Sequence, residues 1–587
     1  MQLLALLVAL PVIAAQSDYA ESLLIKPLPR NKALASFLFD TLLSLFPLTY
    51  TNSSSSGDHA ILSVAKHYLT FPKSIEPIVA STNTRQLHLR FTQGWWDTES
   101  WGRLPHNGSH TGGTGVELSA VIEAGSLEEA RASWLKLALS LSGFFCALLN
   151  FVEDSLTTFP RHDVSEMGAE FVTSANNSLF LMRAALPEEP ICTENLTPFL
   201  KLLPTRGKAG LGSLLDGHKL YDSLWHSMSI DLITECDSER CSLKLSQNID
   251  HIIDITRLLR KHRLGNILKP LSGDQLRCDL DKKYDDWTCF PLTDETVFEW
   301  DFQKIFGRTI KGACFQDDNS SSLIQLDLNN TSWSATVEKS KGDSVHIHDA
   351  GLVERLEGTY QYNVNLRTSD SRVVNDIEKP PIEVSRSLTG YSQDKGGIRV
   401  NLKNPSKEES VRIVYFETLP WYMRAYLYTL KKSGGGHIEA QFYKPAIDRK
   451  RPGHLELVIE IPPASDFTFT YQFDKSLLRY AEYPPDANHG FAIAPAIVKV
   501  LDTQDSTVYQ MRTTTLLLTL PTPDFSMPYN VIILTCTVMA LAFGTIFNLL
   551  TKKVVTEEEF EAISKESKVA QIKARISSTI LALKGRK

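Results

Sequence analysis

The uncharged run Tyr529–Leu550, "YNVIILTCTVMALAFGTIFNLL", constrains this chain more than any other segment. A helix of that length, rising about 1.5 Å per residue, crosses a hydrocarbon core of about 30 Å, and Lys552 and Lys553 close it. The chain therefore carries a membrane anchor near its C-terminus. The opening "MQLLALLVALPVIAAQS" is a short apolar stretch ending in small residues at Ala14 and Ala15, which reads as a cleavable signal peptide. With the lysines after the anchor on the cytosolic side, a type I topology follows, and the segment between signal and anchor is lumenal or extracellular.

That segment holds roughly 510 residues, enough for about two to four domains with their own cores. The net charge of −7 is mild, and no basic stripe interleaved with aromatics tracks a phosphate backbone, which argues against nucleic acid as a partner. Seven Asn-X-Ser/Thr sequons begin at Asn52, Asn107, Asn176, Asn195, Asn319, Asn329 and Asn330, all on the lumenal side and all candidates for N-glycosylation. The lumenal cysteines are Cys146, Cys192, Cys236, Cys241, Cys278, Cys289 and Cys314, an odd number, so in an oxidising compartment at least one thiol is free or joined to another chain. Cys236 with Cys241, and Cys278 with Cys289, are spaced to close small loops, although spacing alone does not prove pairing. Cys146 lies in the apolar "GFFCALLNF" and reads as buried, whereas Cys192 in "PICTENLTP" reads as exposed.

Texture along the chain predicts a mainly β protein with some α structure. Residues 1–15 are the signal, and 16–315 an N-terminal lumenal α+β region. Residues 316–527 form a β-rich lumenal domain, 528–550 the transmembrane helix, and 551–587 a cytosolic tail. "QLHLRFTQGWW" alternates as a strand, with Leu87, Leu89 and Phe91 on one face and His88, Arg90 and Thr92 on the other. Trp95, Trp96 and Trp101 follow it and read as core or inter-domain packing in preference to a carbohydrate or lipid platform. Ser126 with Glu128 and Glu129 opens the best soluble helix. From about Gln316 to Pro521, short β-branched or alternating runs separated by turn signals suggest a β-sandwich. The tail has apolar residues at helical intervals, with nine Lys/Arg against five Asp/Glu, which fits a basic amphipathic segment along the cytosolic membrane face and equally a solvated, partly helical tail.

No nucleophile elbow, HExxH, Walker loop or dinucleotide fingerprint stands in a fitting context. The spacing around Cys236 and Cys241, and around His346 and His348, does not make a metal site, so neither metal nor cofactor is expected. This points to an assembly or substrate-presenting subunit; the alternative is an independent membrane-anchored hydrolase or glycan-binding receptor. In "LPTPDFSMPYN", Pro523, Phe525, Pro528, Tyr529 and Asn530 combine helix-opposing prolines, interfacial aromatics and a polar side chain at the anchor's mouth, a pattern for the lumenal membrane interface.

The blocks "LHLRFTQGWWDTESWG", "SGFFCALLNF", "ICTENLTPFLKLLP", "TLPWYMRAYLYTL", "YAEYPPDANHGF" and "LPTPDFSMPYNVIILTCTV" closely resemble, in order, the PIG-T subunit family of the glycosylphosphatidylinositol (GPI) transamidase complex. The resemblance implies a non-catalytic subunit in the endoplasmic reticulum membrane. It would stabilise a PIG-K-like subunit, which carries the nucleophilic cysteine, and help present the proprotein's C-terminal signal and the GPI lipid. The implied partners also include PIG-S-like, PIG-U-like and multi-spanning peptidase-like subunits. It further implies that Cys192 matches the cysteine that bonds the PIG-K-like chain.

Overall fold

The computed structural model describes residues 17–45, 70–161, 177–236, 241–264, 276–277, 290–291, 299–313, 320–328, 332–340, 344–347, 352–358, 360–369, 377–390, 392–484, 486–522, 524, 526–552 and 554–584. The chain divides into one unit ending at Pro521 and another from Thr522 onward.

The first unit is organised by a nine-stranded sheet. Its strands are β1 (Ser17–Leu28), β2 (Lys32–Leu45), β3 (Thr84–Gly94), β4 (Gly115–Ala124), β5 (Ser178–Leu186), β6 (Trp225–Cys236), β7 (Cys241–Asp254), β8 (Ser321–Leu326) and β9 (Leu352–Arg355). They lie in the order β9-β8-β1-β2-β7-β6-β3-β4-β5. Every pairing is antiparallel except β1 with β8. The sheet thus takes two strands from beyond residue 316, where composition suggested the sandwich domain. Strand texture is local, but strand partnership is not.

Period-two alternation sorts the two faces. Phe37, Phe39, Leu87, Leu89, Phe91, Leu118, Met228, Ile230 and Ile249 point to one side and form a single buried core with two helices. These are α1 (Leu127–Phe145), burying Trp134, Leu137, Leu141 and Phe145, and α2 (Thr193–Leu202), burying Leu196, Phe199 and Leu202. A small sheet built around Trp333–Lys339 and Gln361–Thr368 adds Val337, Tyr362 and Val364 to that core. As the sequence predicts, Ser126 caps α1: its hydroxyl accepts the Glu129 N–H at 3.2 Å.

The other face of the sheet is polar yet buried, which is costly unless the groups pair. Register sets Ser36 beside Asp250, Asp250 beside Ser227, and Ser227 beside Thr92. Asp231 receives Arg90 at 2.5 Å, His88 Nδ1 at 2.5 Å and His110 Nδ1 at 2.8 Å. Burial opposes the charge, but Arg90 and the two imidazoles prevail and hold the Asp231 carboxyl well below the usual carboxylate range.

A β-sandwich completes the unit, as the turn-rich texture predicts. One sheet pairs β10 (Glu383–Thr389), β11 (Lys395–Lys403), β16 (Asp466–Lys475) and β13 (Met423–Gly434) in that order. The other runs β14 (His437–Lys444), β15 (Gly453–Ile461), β12 (Val411–Leu419), β17 (Ile497–Leu501) and β18 (Thr507–Arg512). Ile398, Val400, Phe467 and Phe469 meet Ile413, Tyr415, Leu457 and Val498 in its core. The tryptophan cluster joins sandwich to sheet. Trp96 lies edge-on to Trp101 at 5.2 Å and to Trp225 at 4.8 Å, and donates from Nε1 to the Gly102 carbonyl, while Trp95 stays exposed. Glu117 on β4 makes a second joint, taking Arg183 at 2.7 Å and Arg512 of the sandwich at 3.3 Å.

The second unit begins with helix α3 (Ser526–Thr551), whose segment Tyr529–Thr551 has a mean hydropathy of 2.1 and is long and apolar enough to cross a membrane. The hydroxyls of Thr535, Thr537 and Thr545 donate to carbonyls four residues back, which satisfies them without water. α4 (Glu557–Glu566) and α5 (Lys568–Lys584) make the tail helical. Thr556 and Glu559 form a capping box at the start of α4.

Candidate functional site

Cys192 is the N-cap of α2, in extended backbone, with an exposed thiol. It occupies that position because Asn195, three residues on, reaches back and accepts the Cys192 N–H at 2.8 Å. The same amide donates from Nδ2 to the Phe145 carbonyl at 2.9 Å and to the Cys146 carbonyl at 3.3 Å, at the C-terminal end of α1. One side chain thus fastens the start of α2 to the end of α1.

Two sequence readings change here. Asn195 is 1% exposed, with its amide nitrogen occupied by two carbonyls. A glycan on Nδ2 has no room, so this sequon is a buried cap and not a surface acceptor. Cys146 is exposed, against the burial its apolar flanks suggest. It ends α1 in the left-handed conformation at φ 54°, so its side chain leaves the apolar stripe that Phe145 and Leu149 follow inward. Cys146 and Cys192 both carry free, exposed thiols.

Cys236 and Cys241 stand directly opposite each other where β6 turns into β7. Opposed antiparallel residues have Cα atoms about 4.5–5.5 Å apart, within the span of a disulfide. Asn107 is exposed, on a turn in left-handed backbone at φ 54°. Pro528, Tyr529 and Asn530 fall in the first turns of α3, with Tyr529 and Asn530 exposed. Cys278, Cys289, Asn52, Asn176, Asn319, Asn329, Asn330, Pro523 and Phe525 lie outside the described residues.

Two constellations were not legible in the sequence. Ser36 Oγ lies 2.9 Å from His106 Nε2, near the buried Asp250. These are the residue types of an acyl-transfer site, but Ser36 is 2% exposed, so its hydroxyl is closed to a substrate. Among the described residues, His437, Glu439 and Glu460 gather ligand atoms within 4.8 Å of one another. The Arg412 guanidinium already holds Glu439 at 2.7 Å. Strand pairing brings Glu460 beside His437 and sets Ser36 beside Asp250, and the Pro105–Gly108 turn carries His106 onto Ser36.

A family model described as "Gpi16 subunit, GPI transamidase component" matches residues 3–577. The chain belongs to the Gpi16 family. It is 46% identical to the GPI transamidase component GPI16 of Saccharomyces cerevisiae over 94% of this chain and 91% of that one. To the PIG-T homolog of Schizosaccharomyces pombe it is 33% identical over 97% and 96%. To the human PIGT component it is 29% identical over 92% and 91%. This Gpi16-family chain is thereby a GPI transamidase component, and the resemblance carried by its tryptophan, cysteine and juxtamembrane blocks holds along nearly its whole length.

Proposed function

We propose that this subunit is non-catalytic and lies in the endoplasmic reticulum membrane with its first unit lumenal. There it stabilises a PIG-K-like catalytic subunit through an interchain disulfide at Cys192 and helps bring the proprotein's C-terminal signal to the GPI lipid. PIG-S-like, PIG-U-like and multi-spanning peptidase-like subunits complete the assembly. The observation that carries the reading is Cys192 itself: an exposed, unpaired thiol on a rigid helix start, in a chain whose relatives are named as components of a transamidase. A thiol anchored this way has little freedom to lose on bonding a partner. Cys236 with Cys241, and Cys278 with Cys289, form intrachain bonds. Asn107 and the sequons at Asn52, Asn176, Asn319, Asn329 and Asn330 carry glycans. The segment with Pro523, Phe525, Pro528, Tyr529 and Asn530 lines the lumenal interface where lipid and active site meet, and the basic tail lies on the cytosolic leaflet.

Non-reducing electrophoresis of the complex tests the core of this. Wild type gives a heavier species containing both chains; Cys192→Ser abolishes it and slows anchor transfer without ending it, since a tether raises the effective concentration of an interface that also binds noncovalently. Persistence of the species in Cys192→Ser would assign the bridge to another cysteine, and turnover by this chain purified alone would overturn the non-catalytic role.

A further inference from the structure

α1 buries one side under the sheet, and a surface helix ordinarily turns charge to the other. Here the outer side carries Ala132, Leu135, Leu139 and Gly143, at spacings of three and four that align them on one stripe, interrupted by charge at Glu128 above Ala132 and at Lys136, whose ammonium is held by the Ser81 carbonyl at 3.1 Å. Leu135 is 41% exposed and Leu139 63%. The stripe runs on through the exposed Cys146 to Leu148 and Phe151, 47% and 57% exposed. Gly143 adds a separate sign. A Cβ built on it meets nothing within 4 Å, so no packing inside the chain calls for glycine, although glycine weakens a helix. The missing side chain leaves an open shelf in the stripe. Exposed leucines and a phenylalanine gathered on one side of a helix and its C-terminal turn mark an interaction site.

Both free thiols stand at one end of it, tied together by Asn195. Around that end the charges are acidic: Glu153 and Glu194 are exposed, and Glu189 accepts the Leu148 N–H at 2.9 Å. An acidic rim repels an anionic lipid surface and favours a protein with basic residues around an apolar ridge. We infer that the Ala132–Leu135–Leu139–Gly143 stripe of α1, with Leu148 and Phe151, is the noncovalent seat of the same subunit that Cys192 bonds, a protein presenting an apolar ridge over Gly143, a basic rim and a free lumenal cysteine. This rests on the disulfide reading above and adds the surface that brings the two thiols together.

The test uses the full-length tagged chain expressed with its complex, isolated in mild detergent, with the retained catalytic subunit identified by mass spectrometry. Cys192→Ser alone keeps that subunit through noncovalent contact. Leu135→Glu/Leu139→Glu in the Cys192→Ser background lowers retention at least tenfold. With Cys192 intact, the double substitution lowers the yield of the disulfide-linked species severalfold. Gly143→Gln separates docking from folding: it raises the chain's own thermal midpoint, as glycine removal in a helix does, while weakening partner retention. Undiminished retention in the Leu135→Glu/Leu139→Glu, Cys192→Ser chain overturns the inference, as does loss of a second copy of this chain, or of vesicle binding, in place of the catalytic subunit. Absence of the disulfide species in wild type is a different result: it removes the Cys192 reading and leaves the stripe to be judged by noncovalent retention alone.

Discussion

Asn195 Oδ1 accepts the backbone N–H of Cys192 at 2.8 Å, from a side chain that is almost wholly out of solvent. The contact turns a sequon into a structural clamp, since the amide's other end is spent on Phe145 and Cys146. Asn195→Ala leaves the Cys192 N–H and two carbonyls without that partner and costs about 2–4 kcal/mol of stability. Urea denaturation measures it. Peptide mapping after glycosidase treatment should find Asn195 unmodified and Asn107 modified; a glycan on Asn195 would contradict the burial.

Glu117 joins sheet and sandwich. Burial opposes its charge, but Arg183 and Arg512 outweigh that and lower its pKa. Oε1 also accepts the Gly113 N–H at 2.9 Å. Glu117→Gln removes the negative charge from between the buried Arg183 and Arg512 guanidinium groups and should cost about 3 kcal/mol, with the sandwich released first. Limited proteolysis comparing the variant with wild type detects that order; equal protection of the sandwich would show the joint to be dispensable.

His251 is buried between Phe37 and Phe306. Burial, helped by the nearby His226, pulls its pKa down to about 3. An unfolded histidine takes its proton near pH 6.5, by the ordinary value of about 6.5. Stability from the neutral ring is therefore complete above that pH and is lost as pH falls toward 3. Glu21 and Asp250, whose pKa values burial raises, act in the opposite sense, so the comparison between variants is the readout. His251→Phe should shrink the loss of stability between pH 6.5 and pH 5 by about 2 kcal/mol, seen in denaturant midpoints at the two pH values. An unchanged difference would mean the ring is already charged in the fold.

Asn530 sits exposed in the second turn of the anchor helix. An amide there is costly in hydrocarbon unless it serves a partner or a lipid headgroup. Asn530→Leu is expected to slow anchor transfer severalfold with expression and assembly intact, read by surface display of a GPI-anchored reporter. Full display with full assembly would reduce the segment to a connector.

Short-range physics was legible in the sequence. The anchor was plain in Tyr529–Leu550 because an uncharged run of that length has few other uses. The cap at Ser126, the alternation of β3 and the sandwich texture are likewise written in neighbouring residues. What the sequence left open depended on residues far apart. β8 joins β1 across some three hundred positions, because a free sheet edge accepts whichever strand reaches it. The polar face around Asp231 exists only once β3, β6 and the His110 loop meet. Cys146 looked buried because its neighbours are apolar; a single left-handed residue at the end of α1 turned it outward. Asn195 looked like a glycan site because three letters define a sequon, whereas its burial is decided by the packing of α1 on α2. Sequence alone marked the helix apolar enough to cross a membrane and the positions of the cysteines. Tertiary structure decided which thiols reach the surface and what stands beside them, since exposure belongs to the packing of the whole chain and not to any short stretch of it.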